Sequence, residues 1–337
     1  MKRRSLLLTG AVAATGVALA GAGAALAVRR YLRNEEQRVD EAAGETFDAL
    51  DDLAHTTIPT YDGGELHLIE RGRVDGRPLV FLHGVTLSSR IWHYQLRDLG
   101  EDFRVLALDQ RGHGQSIAGT DGYGLAKLAR DVVTVLEKLD LHNAVLVGHS
   151  MGGFAIMEFC ISHQDVLAER VAGIVLMNTS ADVIGPRPPW TAGLAKRFVA
   201  ASGRLPRPAQ PLPAAVYLGS RYTFGLDPSP THVRFIGDIG AALPPEIFAP
   251  SVVGFLDMDL RPGLRSVRVP ALVLAGSHDR LTPVRAAREI VANLPDAELV
   301  VLEGAGHTIM LERHAETNRL ISEFAGRLPS PPPGPGG

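Results

Sequence analysis

From residue 65 onward the chain is punctuated by short apolar runs: ELHLIER (65–71), PLVFLHG (78–84), FRVLALD (103–109), NAVLVGH (143–149), VAGIVLMN (171–178), ALVLAGS (271–277) and AELVVLE (297–303). Each is short and rich in β-formers, and each predicts a strand. Between them the apolar period lengthens. Leu125, Leu128, Val132, Val135, Leu136 and Leu139 recur at spacings of three and four, which is one face of a helix. Val284, Ala287, Val291 and Leu294 repeat the pattern, as do Leu320, Ile321, Phe324 and Leu328. Strands alternating with helices predict an α/β fold with a mostly parallel sheet.

Three stretches break the alternation. Residues 181–263 hold 13 of the 23 prolines, and proline is excluded from helix interiors and central strands. The same stretch carries Trp190, Phe198, Tyr217, Tyr222, Phe224, Phe235, Phe248 and Phe255, which a solvated linker lacks. It reads as an irregular, partly helical insertion covering the sheet's edge. The tail PSPPPGPGG (329–337) reads as disordered. Residues 31–56, polar and acidic, read as a linker or short lead-in helix; extended at roughly 3.3 Å per residue, they would hold a domain clear of whatever precedes them.

The N-terminus is a separate object, residues 1–30. Leu6–Val28 is uncharged over a length that spans a bilayer as a helix, with basic residues at both ends. Its Ala and Gly content makes insertion marginal. Arg3 and Arg4 ahead of this weakly apolar region resemble a twin-arginine export signal, and Ala25-Leu26-Ala27 offers a cleavage site. Two readings follow, a single-pass membrane anchor or a cleaved export signal.

Composition narrows the rest. Of 337 residues 45% are apolar and 21% charged, enough apolar material for a sizeable core. A net charge of −3 without a basic stripe argues against a nucleic-acid partner. The single cysteine, Cys160, excludes an intrachain disulfide and reads as a buried small hydrophobe. No histidine or carboxylate pair has metal-ligand spacing, and no G-x-G-x-x-G stands between a strand and a helix. Neither a metal nor a dinucleotide cofactor is expected.

Chemistry concentrates at VLVGHSMGG (145–153), where a strand runs into a serine among glycines. Gly148–Gly152 has the form G-x-S-x-G. A serine hydroxyl is a poor nucleophile, and a sharp strand-to-helix turn holds it where substrate reaches it. Such a turn strains the serine backbone and leaves room only for glycine at 148 and 152. Serine needs a base, and the base an orienting carboxylate. Downstream, LAGSHDRLTP offers Asp279 and VLEGAGHTIM offers His307; upstream, His83-Gly84 ends a strand, so that the N–H of Val85 meets that of Met151 as an oxyanion donor.

This constellation resembles the α/β-hydrolase superfamily, on "HG" at 83–84, "LDQRGHGQS" at 108–116, "GHSMGG" at 148–153, "GSHD" at 276–279 and "GAGH" at 304–307. The resemblance covers 57–328. It implies an eight-stranded, mostly parallel sheet with a core of 57–180 and 264–328 and a cap at 181–263, inserted between the sixth and seventh strands. It also implies Ser150 as nucleophile, Asp279 as acid and His307 as base, with Val85 and Met151 as oxyanion donors. His83, Gly84, Gly148, His149 and Gly152 support them.

Competing residues are weaker. Asp109 belongs to a loop motif of the superfamily, and Asp182 stands where some relatives place the acid. His149 is expected to pack or hydrogen-bond behind the serine, and His113 and His314 to be surface residues or to support the site rather than act as bases. The expected activity is esterase- or lipase-like hydrolysis of a small ester through an acyl-enzyme. Perhydrolase or haloperoxidase, C–C bond and lactone chemistry use the same triad. A catalytically dead, membrane-tethered binding module is the reading from another class. The insertion's aromatics suit either an apolar acyl pocket or the cap's own small core.

Overall fold

The computed structural model describes residues 26, 29–35, 37–47, 50–182, 197 and 213–329. Eight strands form one sheet in the order β1-β2-β4-β3-β5-β6-β7-β8. They are β1 (Ala54–Pro59), β2 (Glu65–Gly72), β3 (Pro78–Leu82), β4 (Arg104–Leu108), β5 (Ala144–His149), β6 (Val171–Met177), β7 (Ala271–Gly276) and β8 (Ala297–Leu302). β1 pairs antiparallel with β2, and β2 with β4; all other neighbours are parallel. The seven apolar runs are all strands. β1 escapes the pattern because only Ile58 of its residues is buried. An edge strand packs on one side alone and needs no continuous apolar run.

The main helices of the described residues are α1 (His93–Leu99), α2 (Leu125–Lys138), α3 (Met151–Ser162), α4 (Gln164–Arg170), α5 (Pro213–Tyr222), α6 (Pro230–Ala242), α7 (Pro245–Val253), α8 (Val284–Asn293) and α9 (His314–Arg327). Parallel strands covered on both faces read as unbroken apolar runs, and every residue of β5 is buried. Alternate side chains serve opposite cores. Leu146 joins Val80, Leu82 and Leu106 with Leu128, Val132 and Phe159 of α2 and α3. Val145 and Val147 join Leu79, Phe81 and Val105 with Tyr94 of α1 and Phe324 of α9. The helix faces expected from the sequence are thus the buried ones. Cys160 of α3 is fully buried, which pushes its thiol pKa up.

Between β6 and β7 the chain leaves the sheet for α5, α6 and α7. Part of the stretch read as a cap, with Trp190 and Phe198, lies outside the described residues. Almost all of Leu6–Val28 lies outside them too, as does most of the proline-rich tail. Among the described residues no helix is long and apolar enough to cross a membrane.

The lead-in does not form an extended spacer. Residues 29–35 are helical, and 37–47 continue as turns laid against the folded body. The Asp40 carboxylate accepts from the Thr231 amide at 2.9 Å and hydroxyl at 2.7 Å, and from the Ser229 hydroxyl, at the start of α6. Burial opposes the charged form, yet these donors hold Asp40 below the usual carboxylate range. Phe47 stacks on Phe235 of α6, ring centres 4.0 Å apart. Glu35 accepts from the Tyr217 hydroxyl of α5 at 3.1 Å, and Glu45 pairs with Arg97 of α1 at 2.8 Å. One short stretch therefore ties the helices between β6 and β7 to the core.

A second ionic lock lies beneath the β4 loop. Arg111, 1% exposed, meets both oxygens of Asp131 on α2 at 2.7 Å and Asp62 at 3.0 Å. Removing the cation leaves buried carboxylates unpaired, an expensive state. Arg111→Met should lower the unfolding free energy by about 3–5 kcal/mol. A urea midpoint measured at constant slope checks this, and a loss below about 1 kcal/mol contradicts it.

Candidate active site

Ser150 stands between β5 and α3 with φ 51° and ψ −115°, a backbone region that costs a non-glycine residue about 1–3 kcal/mol. The surrounding structure holds it there. Its N–H donates to the Met177 carbonyl at 3.0 Å, and its own carbonyl accepts from the Thr179 hydroxyl at 2.8 Å. Glycine is required nearby for space. A Cβ on Gly148 would lie 2.6 Å from the Gly152 carbonyl, and one on Gly152 would lie 2.2 Å from the Leu82 carbonyl oxygen. The turn closes only because both positions lack a side chain. As first residue of α3, Met151 has an N–H with no partner inside the helix.

The loop after β3 closes on this turn. A Cβ on Gly84 would lie 2.9 Å from His149 Nδ1 and 3.2 Å from Ser150 Cβ, so the backbone at 84–85 abuts the serine. His83 shapes that loop. Its Nδ1–H donates to the Gly84 carbonyl at 2.7 Å, and its Nε2 accepts from the Gln110 amide at 3.0 Å. Burial, reinforced by His113, lowers the His83 pKa to about 4, so the ring stays neutral. Thr86 follows with φ 66°, an unusual place for a β-branched residue. Val85, Thr86, Ser150 and His307 all line one cavity of about 540 Å³.

Asp279 and His307 meet behind that cavity. The His307 Nδ1–H donates to Asp279 Oδ2 at 2.8 Å, which leaves Nε2 as the unprotonated nitrogen. Four further donors converge on the carboxylate. Leu281 and Thr282 amides reach Oδ1 at 2.7 and 2.9 Å, while the Asn178 amide and Thr282 hydroxyl reach Oδ2 at 2.6 Å each. Burial alone would favour the protonated acid; His307 and these donors outweigh it and hold Asp279 far below the usual range. His149 lies 4.6 Å from the His307 ring centre and donates Nε2–H to the His307 carbonyl at 2.8 Å. Burial, with His307 alongside, keeps His149 well below an ordinary histidine pKa and uncharged.

Sequence reasoning overlooked the residues that hold this arrangement. Asn178, at φ 45°, bridges Asp279 and the Gly306 carbonyl. Glu312 accepts from the Gly306 and Thr308 amides and the Thr308 hydroxyl around the histidine loop, and from the Gly225 amide at 2.7 Å. The His307 amide itself donates to the Thr223 carbonyl at 2.6 Å. Of these, only Asn178 carried a signal, as a polar residue at the end of a predicted strand.

The competing residues are engaged elsewhere. Asp109 accepts from the Ser89 amide at 2.6 Å, the Gln115 amide at 3.0 Å and His67 Nδ1 at 2.9 Å. Asp182 reaches the cavity but pairs with Arg261 at 3.1 Å. His113 is buried against His83, and His314 stacks on Tyr94 with ring centres 3.9 Å apart. Of the insertion's aromatics, Phe248 and Phe255 line the cavity, while Tyr217, Phe224 and Phe235 are buried in packing.

Known proteins resemble this arrangement. Residues 77–314 match the family model described as alpha/beta hydrolase fold. The chain is 30% identical over 251 residues to the AB hydrolase superfamily protein YisY of Bacillus subtilis, covering 74% of this chain and 92% of that one. It is 31% identical over 272 residues to a non-heme chloroperoxidase of Streptomyces lividans, covering 77% and 95%. The solved esterase RhEst1 from Rhodococcus sp. ECU1013 superposes with a TM-score of 0.69 at 26% identity, covering 82% and 99%. The match thus runs from the loop ahead of β3 to the start of α9, through the same strands that carry Ser150, Asp279 and His307, and the chain belongs to the alpha/beta hydrolase fold family.

Proposed function

We propose that the chain is a serine hydrolase acting on carboxylic esters through an acyl-enzyme. The observation that carries this reading is the Asp279–His307 pair facing the same cavity as the strained Ser150. Ser150 Oγ attacks the ester carbonyl as its proton passes to His307 Nε2. The Val85 and Met151 amides hold the oxyanion, and the leaving alkoxide takes the proton back from Nε2. Water then repeats the sequence and frees the acid. Phe154, Phe248, Phe255, Leu256 and Met258 line the cavity and suit an apolar, medium-chain or lipid-like acyl group.

Similarity to a non-heme chloroperoxidase supports a second reading, in which hydrogen peroxide replaces water at the acyl-enzyme and releases a peracid. One assay separates the two. Ester turnover should peak above a two-carbon acyl chain, and Ser150→Ala should lower it by about four powers of ten or more. Loss of fluorophosphonate labelling should accompany it. A Ser150→Ala enzyme as fast as the parent overturns the assignment. Bromination of monochlorodimedone with peroxide and acetate that outpaces ester turnover favours the second reading.

The pH profile offers an independent check. Asp279 is held ionised far into acid, and His83 and His149 stay neutral at neutral pH. A histidine base must be unprotonated to act, so kcat/KM should fall on the acid side of neutrality. A profile flat from about pH 5 to 9 contradicts a histidine base.

Leu6–Val28 supports a further part of the reading, a single N-terminal anchor with the hydrolase domain outside the cytoplasmic leaflet. Because residues 29–35 and 37–47 lie against the domain, little slack separates it from such an anchor. A full-length chain retained in the membrane pellet after a carbonate wash is the expected result. A soluble mature chain beginning near Val28 overturns it in favour of a cleaved export signal.

A further inference from the structure

The lining of the cavity beside Ser150 is of two chemical kinds. Phe154 and Phe255, with ring centres 5.2 Å apart, form an apolar wall with Met258. The polar part of the lining gathers around His307. Thr223 accepts from the His307 amide through its carbonyl, the Thr282 hydroxyl lies 3.3 Å from His307 Nδ1, and Thr308 follows directly. Arg280 is part of this polar lining.

Two charged lining side chains bear on selectivity, and they differ in kind. Asp182 is neutralised by Arg261 at 3.1 Å. Among the described residues no carboxylate pairs with Arg280. Its backbone is pinned, because the neighbouring Leu281 and Thr282 amides both bind Asp279 Oδ1. Its guanidinium lies 5.6 Å from the Tyr222 ring centre, and Nη1 makes two long contacts, 3.4 Å to the Tyr222 carbonyl and 3.3 Å to that of Phe224. Among the described residues Nε and Nη2 meet no acceptor. That edge of a guanidinium is the one that grips a carboxylate with two parallel hydrogen bonds.

Direction follows from the chemistry. The leaving oxygen of an ester must reach the imidazole that protonates it, so the alcohol portion lies toward His307 and the acyl chain at the apolar wall. We infer that Arg280 selects esters whose leaving alcohol carries a carboxylate. This deepens the ester-hydrolase reading above and rests on it. The substrate class is an apolar acyl group esterified to an anionic alcohol or phenol.

The test compares the octanoyl esters of 4-hydroxybenzoate and 4-hydroxybenzamide, which share an acyl chain and differ in charge on the leaving phenol. The ratio of their kcat/KM values in the parent, divided by the same ratio in Arg280→Gln, cancels intrinsic reactivity and any general loss of activity. A partly exposed ion pair predicts a quotient of about three to ten. Arg280→Lys, which keeps the charge, should retain part of the preference. About 0.5 M salt should shrink it in the parent alone. Hydrolysis of both esters with a quotient near one overturns the inference and leaves the ester-hydrolase reading standing. Hydrolysis of neither ester by the parent overturns both.

Discussion

A buried carboxylate organises this molecule's catalytic end. Asp279 has no exposed side-chain surface, and an ionised acid is tolerated there only if donors replace the water it has lost. The five donors come from three separate places: the end of β6 through Asn178, the turn after β7 through Leu281 and Thr282, and the loop after β8 through His307. Satisfying one charge therefore draws three strand ends into a fixed relation. The imidazole's tautomer follows from the same bond, because Nδ1 must carry the proton that Asp279 accepts.

Strain is the second constraint, and it is local. Ser150, Thr86 and Asn178 all hold positive φ without being glycine; Ser150 and Asn178 directly follow β5 and β6, and Thr86 stands in the loop after β3. Such conformations persist where neighbours over-determine them. Around Ser150 the neighbours are backbone atoms. Gly148 and Gly152 let β5, α3 and the Leu82 carbonyl approach to distances that a Cβ would forbid. At Asn178 the Nδ2 bonds to Asp279 and Gly306 offset the backbone's preference.

The insertion between β6 and β7 is held from outside as well as from the sheet. Asp40 satisfies the first turn of α6, where a helix start leaves unpaired N–H groups. Phe47 stacks against the same helix through Phe235, while the adjacent Ile236 lines the cavity. α6 thus lies between the lead-in and the cavity, so the N-terminal lead-in and the cavity wall share a rigid element. Glu312 performs a similar service at the other end, joining the histidine loop to Gly225 just beyond α5.

Much of this was legible in the chain itself. Runs such as VLVGH predicted central strands because a strand covered on both faces must be apolar throughout, and the run's halt at a glycine-flanked serine located the nucleophile candidate. Periodicity likewise predicted the buried faces of α2 and α9. β1 was illegible because an edge strand with one buried residue has no pattern to read. Asn178 was marked only by its place at a strand end, and Thr282 and Glu312 not at all, because the spacing of a polar loop residue does not say which groups the folded loop will turn toward it. The acidic lead-in looked solvated for the same reason: Glu35, Asp40 and Glu45 acquire partners only when α1, α5 and α6 are folded beside them. By itself the sequence determined which segments become strands and helices and which side chains stand at their ends, since both depend on local pattern. The tertiary structure alone decided which polar groups meet, because burial and hydrogen-bond partners exist only once remote segments pack together.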